Sequence, residues 1–391
     1  MVGYLSAARR SMFLSRIDTM TLDGLLKTFR RVLSPVIRDE SLTGRRISLS
    51  VKVARARHFD RKMNTSSLAD DRREGEETGT EPAPAVSAAA RVEPKVLVLN
   101  FDPIVKAAGR RLHEVAGWND PRTLTATYIA DVAECSGEYV RYRVVEWVDV
   151  DAYPVKKDGF RYTDDSYLRC LRGEAGWHQP DAIDYHAILR QFAIPERVDA
   201  GAIDEVWIWA FPYAGLWEST MAGAGAYFCN SPPVEGVATS RLFVIMGFNY
   251  ERGVGEMLED LGHRAESILT HVFGSCEPKE SHAWNRFTLT ERVAPGRAGV
   301  GSIHFAPNSR MDYDWGNPTM VWSACDDWLN YPNLTGERRR VNCREWGNGD
   351  IRAHHRWWLG HLPRAPGRTA SRLNNWWAYA VDFNHYQESR W

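Results

Sequence analysis

LFVIMGFNYERGVGEMLEDLGHRAESILTHVF, residues 242–273, decides how the chain is built. Leu242 to Gly247 is a short apolar run of the kind that forms a buried strand, and Val254 to Val272 repeats apolar residues at helical spacing. The stretch therefore predicts strand, tight loop and long helix. At 100° per residue, Val254, Met257, Leu258, Leu261, Ala265, Ile268, Leu269 and Val272 fall in one stripe about 120° wide. Glu256, Glu259, His263, Glu266 and Thr270 lie on the opposite side. That polar face is where spacing alone pre-arranges carboxylates and an imidazole.

Upstream, three more runs read as strands: Pro94 to Phe101, Tyr139 to Val150 and Val206 to Ala210. Helical periodicity appears between them, at Leu124 to Ala133, Asp164 to Arg172 and Asp184 to Phe192. Strands alternating with helices predict an α/β fold, a predominantly parallel sheet with helices on both faces. Past residue 275 the long periodic runs stop, yet nine of the sixteen Trp lie between Trp315 and Trp391. Residues 275–391 are expected to form an irregular, Trp-rich cap on the 94–274 core, within a single domain spanning 94–391. Residues 64–93 lack aromatics and mix small residues with clustered charge, too little apolar surface to offset ordering. Residues 1–93 are thus expected to be a disordered basic arm and linker.

In parallel sheets, ligands gather outside the carboxyl ends of the strands, where the loops into the helices collect. The corresponding loops bring Asn100, Asp102, Asp149, Asp151, Trp217, Glu218, Asn249 and Glu251 to one rim. Asn100, Asp102, Asn249 and Trp217 are candidates for substrate binding, and Glu218 and Glu251 for general acid or base. The plainer use of each Asp or Asn is as a helix cap or turn former.

Glu259 and His263, four residues apart on one helix face, have a spacing at which two side chains share a metal ion. The string EDLGH is similar to the zincin helix motif HExxH over those five residues. Glu259 stands where the first ligand histidine would be and Asp260 where the catalytic glutamate would be. The likeness is read as geometry that permits a metal, not as membership of a family. A second carboxylate-x₃-His pair, Asp350 and His354, precedes His361 on the same expected face. Together these pairs form a donor set for a divalent metal, zinc or manganese, which would turn bound water into a nucleophile near neutral pH. The competing reading of both pairs is a solvated charged face. Because more than a hundred residues follow the helix without a large sheet of their own, they are expected to cover it, so that His263 faces protein.

Other chemistries lack support. Neither GVGEM nor GRAGVG fits a phosphate loop or dinucleotide fingerprint, no GxSxG elbow is present, and DYDWGN at 312–317 reads as a turn rather than a calcium loop. Residues 1–62 carry 14 Lys and Arg against 5 Asp and Glu, whereas 94–391 carry 32 against 38. A mildly acidic body argues against nucleic acid as a partner. No run approaches a membrane span, and no secretory h-region is evident, which leaves secreted and cytoplasmic locations both open. The six cysteines have no CxxC spacing; Cys325 with Cys343 would close a polar loop as a disulfide, and buried free thiols are equally compatible.

Clustered Trp and Tyr beside Asp, Asn and Arg is a composition suited to sugar recognition. Adjacent pairs such as Trp357/Trp358 and Trp376/Trp377 cannot both point into one core, so some of these rings are expected to line a cleft or an interface, and Trp357 joins the substrate-binding candidates. The combined expectation is a hydrolase, with or without an assisting metal, acting on a glycan-like or peptide-glycan substrate at the carboxyl edge of the sheet. The alternative is a non-enzymatic carbohydrate- or cell-surface-binding protein.

Overall fold

The computed structural model describes residues 91–273 and 282–386. The basic arm and most of the linker lie outside these residues, as does Cys276. Five strands make the main sheet: Lys95–Phe101 (β1), Arg143–Val150 (β2), Glu205–Ala210 (β3), Ser219–Ala222 (β4) and Phe243–Asn249 (β5). Their order is β2-β1-β3-β5-β4; the first four in that order are parallel, and β4 adds an antiparallel edge. β4 has no counterpart in the sequence reading, because four residues of Ser, Thr, Met and Ala carry no pattern of their own.

The nine helices among the described residues are Leu112–Ala116 (α1), Pro121–Cys135 (α2), Asp164–Leu171 (α3), Tyr185–Gln191 (α4), Ile194–Asp199 (α5), Val254–Phe273 (α6), Ala283–Phe287 (α7), Ile351–Gly360 (α8) and Trp376–Val381 (α9). Local chemistry sets several starts. Asp120 caps α2 by accepting the Thr123 N–H at 2.7 Å, with Pro121 in the first turn, where its missing N–H costs nothing.

All six residues of β3 are buried, so both faces of the sheet centre are covered. Alternation sends Glu205, Trp207 and Trp209 to one face, where Trp209 Nε1 donates to Thr125 of α2 at 3.0 Å. On that face Arg264 of α6 grips Glu205 with two bonds, 2.8 and 2.6 Å, and donates Nε to Ala380 O of α9 at 3.0 Å. Trp207 Nε1 donates to the same carboxylate at 3.1 Å. A charged residue within the apolar side of α6 is thus fully partnered, and it ties the sheet centre to the C-terminal helix. The expected apolar stripe of α6 is buried throughout.

Residues 282–386 pack back on α6 through α8 and α9. Both Trp376 and Trp377 are fully buried, contrary to the expectation that two adjacent rings cannot both point into one core. The reason is that α9 is enclosed on all sides: Phe273, Trp284, Phe287, Trp328 and Tyr331 crowd Trp376 alone. Of the other pair, Trp358 is buried and Trp357 half-buried.

Cys325 and Cys343 are free thiols, not a disulfide. The loop between them is instead closed by Val321–Ser323 pairing with Arg339–Val341 and by the Asp327 carboxylate, which accepts from Thr335 N and Gly336 N. No described helix is long and apolar enough to cross a membrane.

Candidate metal centre

The sequence offered two places for chemistry, the sheet rim and the polar face of α6, and of the rim candidates the structure brings Glu218 to that face. His263 lies nine residues into α6, about 14 Å along the helix from its start at the rim. Its face is covered by the irregular segment 301–315, and its side chain is only 17% exposed. The covering is tight at one point: a Cβ on Gly262 would meet Ile303 side-chain atoms at 2.4 Å, so only glycine lets this segment lie on the helix. Ile303 N donates to Glu266 Oε1 at 2.9 Å, which fixes the next residue, His304, over the helix.

There three donor atoms converge. His304 Nε2 is 2.8 Å from Glu259 Oε1 and 2.9 Å from His263 Nε2, and His263 Nε2 is 3.7 Å from the same carboxylate oxygen. The far nitrogen of each ring is turned to a second carboxylate. His263 Nδ1 lies 3.1 Å from Glu266 Oε2, and His304 Nδ1 faces Asp312 Oδ1 at 3.6 Å, an ion-pair separation rather than a hydrogen bond.

That outer pair of carboxylates decides what the centre can hold. If both Nδ1 atoms carry the proton towards an acid, both Nε2 atoms and Glu259 Oε1 present lone pairs to one another, an arrangement that a shared cation would reconcile. Around zinc, with bonds of about 2.0–2.2 Å, tetrahedral donors sit about 3.3 Å apart, the middle of the observed range. Two imidazoles and one carboxylate are a zinc-type set, and also one that holds non-haem iron.

A proton can serve the same end. Burial alone would depress the His263 imidazole, but the carboxylates of Glu259 and Glu266 outweigh it and raise its pKa well above the usual value. Burial likewise opposes ionisation of Glu259, yet the bonds to His263 and His304 hold it well below the carboxylate range. Asp260, beside Glu259, is pushed well up by burial and then by the nearby Glu218 and Glu259. Tyr313 donates its hydroxyl to Glu259 Oε1 at 3.1 Å.

Glu218 belongs to the same neighbourhood. It bears electrostatically on Asp260, His263 and Tyr313, and Asn230 Nδ2 holds its Oε2 at 2.5 Å. Gly247 positions it: a Cβ there would meet Trp217 O at 2.3 Å, and Gly247 N donates to Glu218 O at 3.0 Å.

No family model matches this chain, and no curated protein or solved structure does either.

The remaining candidates fall elsewhere. Asn100 is buried at the end of β1, donating to Asp149 Oδ1 at 2.9 Å, and buried Asp102 holds His113 Nδ1 at 2.5 Å. Asn249 accepts from Glu251 N at 2.9 Å, a turn-forming use. Glu251 is exposed and turns towards Arg252, 3.9 Å away. Trp217 is half-buried against the core, and its N–H donates to the Tyr185 hydroxyl at 2.8 Å. Asp350 caps α8, accepting from Ala353 N at 2.7 Å, rather than joining a metal. His354 is fully buried with neither ring nitrogen partnered, stacked on Trp315 at 4.9 Å, so this second carboxylate–His pair is not assembled. Asp314, of DYDWGN, accepts from Arg310 N at 2.9 Å and Asn317 Nδ2 at 2.9 Å, which makes that stretch a turn.

A second group of potential ligands, Cys325, Asp326 and His361, has its charge already met, because Arg339 Nη2 lies 3.0 Å from Asp326 Oδ1. Sequence reasoning missed His304 and Tyr313, and read Asp312 only as part of a turn. A lone histidine in an irregular segment, followed by DYDW, has no periodicity to mark it.

Two predictions arise here. Gly262→Ala should cost about 1–3 kcal/mol in denaturant unfolding through overpacking, and should weaken metal affinity by moving Ile303 and hence His304. Unchanged affinity in that variant would show that the glycine does not position the histidine. The second concerns pH. Burial lowers the pKa of His355 to about 4, and lowers that of neighbouring His354 well below its usual value. Both folded values lie under the unfolded one, so the stability they confer is full above about pH 6.5 and is lost as pH falls. From pH 6.5 to 4, His355 alone should remove about 3 kcal/mol. His354→Leu, which deletes one of the two imidazoles, should make that slope shallower; an identical slope would contradict burial of neutral His354.

Proposed function

We propose that this chain is a metal-dependent hydrolase whose centre is Glu259, His263 and His304. One observation supports the reading above the rest: three lone-pair donors meet at 2.8–3.7 Å while the outer nitrogen of each histidine faces its own carboxylate. A solvated charged face has no reason to arrange acids behind its imidazoles. The metal, zinc or manganese, would polarise substrate and lower the pKa of bound water to about 7. Glu218, oriented by Asn230, is the proposed acid or base beside it, and Asn230 is itself held by Ser267 Oγ at 2.9 Å from its backbone N–H.

A glycan-like or peptide-glycan substrate remains the proposal for what is cleaved. Most of the aromatic surplus is core; of the Trp rings put forward for substrate binding, Trp217 and Trp357 are half-buried, and Trp357 alone of the two borders a cleft. That ring borders a cleft of about 270 Å³ with Glu134, Cys135, Arg356, Gly360 and Arg364, a ring face among charged side chains that shares no residue with the metal centre and so supports sugar binding rather than the place of cleavage. The reading puts the reaction on the covered face of α6, beside Glu218, rather than across the carboxyl edge of the whole sheet.

The test is to strip the chain with chelator, restore zinc or manganese, and assay hydrolysis of glycans, peptidoglycan fragments and peptides. Turnover should require metal and vanish in Glu259→Gln and His304→Ala. Metal-loaded protein that binds sugars saturably but cleaves nothing would favour the non-enzymatic alternative.

A further inference from the structure

We infer that Tyr313 supplies a fourth protein ligand to the metal at Glu259, His263 and His304, so that the resting centre is closed and opens by ligand exchange. This rests on the metal reading above and adds a residue to it. Tyr313 Oη is 3.1 Å from Glu259 Oε1 and 3.3 Å from His304 Nε2. Those two separations match the spacing of the three ligand atoms among themselves, as expected of a fourth donor beside Glu259 and His304.

The backbone holds it there. Tyr313 has φ +58°, a left-handed conformation that a bulky residue avoids, and its N–H donates to His304 O at 3.2 Å. Its ring packs on His304 at 4.6 Å and meets Trp315 edge-on at 5.1 Å. The buried Trp315 in turn donates Nε1 to His304 O at 3.1 Å. One short segment thus delivers both His304 and Tyr313, and a strained residue aims the phenol at the donors.

Coordination breaks the phenol O–H bond as the oxygen–metal bond forms, and the proton leaves to water; no electron is transferred. Four protein donors complete a tetrahedron, whereas hydrolysis needs a position for water or a substrate oxygen. Tyr313 is the ligand able to leave, since the other three are braced: His263 by Glu266, His304 by Asp312, and Glu259 by its own helix. Once displaced, the phenolate takes a proton back from water, and the restored hydroxyl can then donate to the oxygen that took its place.

The probe is copper(II) alone, added to the chelator-stripped full chain. Wild type should bind one copper with a phenolate-to-copper charge-transfer absorption, absent in Tyr313→Phe. Loss of a partner that merely hydrogen-bonds a ligand costs roughly 10- to 100-fold in metal affinity, so Tyr313→Phe should weaken binding by at least that range. Copper bound by wild type without the band, or a Tyr313→Phe spectrum like wild type, overturns the assignment of Tyr313 and leaves the three-ligand centre standing. Failure of wild type to bind copper overturns both. The wild-type spectrum needs no variant, so misfolding of Tyr313→Phe would not obscure the result.

Discussion

Arg264→Met should lower the unfolding free energy by about 3–5 kcal/mol, because it leaves the fully buried Glu205 carboxylate without its cation. The loss is not the strength of one bond. In the wild type the guanidinium meets Glu205 twice and Ala380 O once, and Trp207 adds a further donor to the acid, so both charges have partners despite complete burial. Removing one charge strands the other, and Ala380 of α9 loses its link to the sheet. Replacing both together, as Arg264→Met with Glu205→Leu, should recover most of the loss, since an apolar pair of similar volume needs no solvation. Denaturant unfolding of the two variants checks this. A single variant within about 1 kcal/mol of wild type would mean that water reaches Glu205.

Zinc should raise the stability of the chelator-stripped chain by about 4 kcal/mol at a thousandfold excess over its dissociation constant, and His304→Ala should abolish that response. The variant itself should fold. His304 is 19% exposed, and an ordinary hydrogen bond contributes only about 0.5–1.5 kcal/mol. Metal-linked stabilisation and intrinsic stability therefore separate cleanly in this variant. Thermal melts with chelator and with zinc give both quantities; an equal zinc shift in wild type and His304→Ala would place the ion elsewhere.

The parts of the fold that repeat were legible from the sequence. The strand at 243–249 and the helix at 254–273 follow from a buried apolar run and from periodicity, signals that depend only on neighbours in the chain. β4 was not legible, because its four residues are ordered by pairing with β5 and not by any preference of their own. The centre divides along the same line. Glu259 and His263 lie four apart on one helix and could be paired by spacing, whereas His304 and Tyr313 reach them across 45 and 54 residues through an irregular segment. What fixes that approach is the missing side chain of Gly262 against Ile303, a contact invisible in one dimension. Asp350 and His354 had the same spacing as Glu259 and His263, yet one became a cap and the other a buried ring. Spacing proposes a pair, and only a third partner distinguishes a site from a coincidence.

The central claim is the identity of the ligands, and X-ray absorption at the metal edge of the zinc-loaded chain tests it most directly. Scattering from two imidazole rings, with nitrogen at about 2.0–2.1 Å and the remaining ligands oxygen at about 2.0–2.2 Å, is the predicted result. A sulfur shell at about 2.3 Å would contradict it and move the metal to Cys325, Asp326 and His361, and a shell of oxygen alone would remove both histidines from the centre.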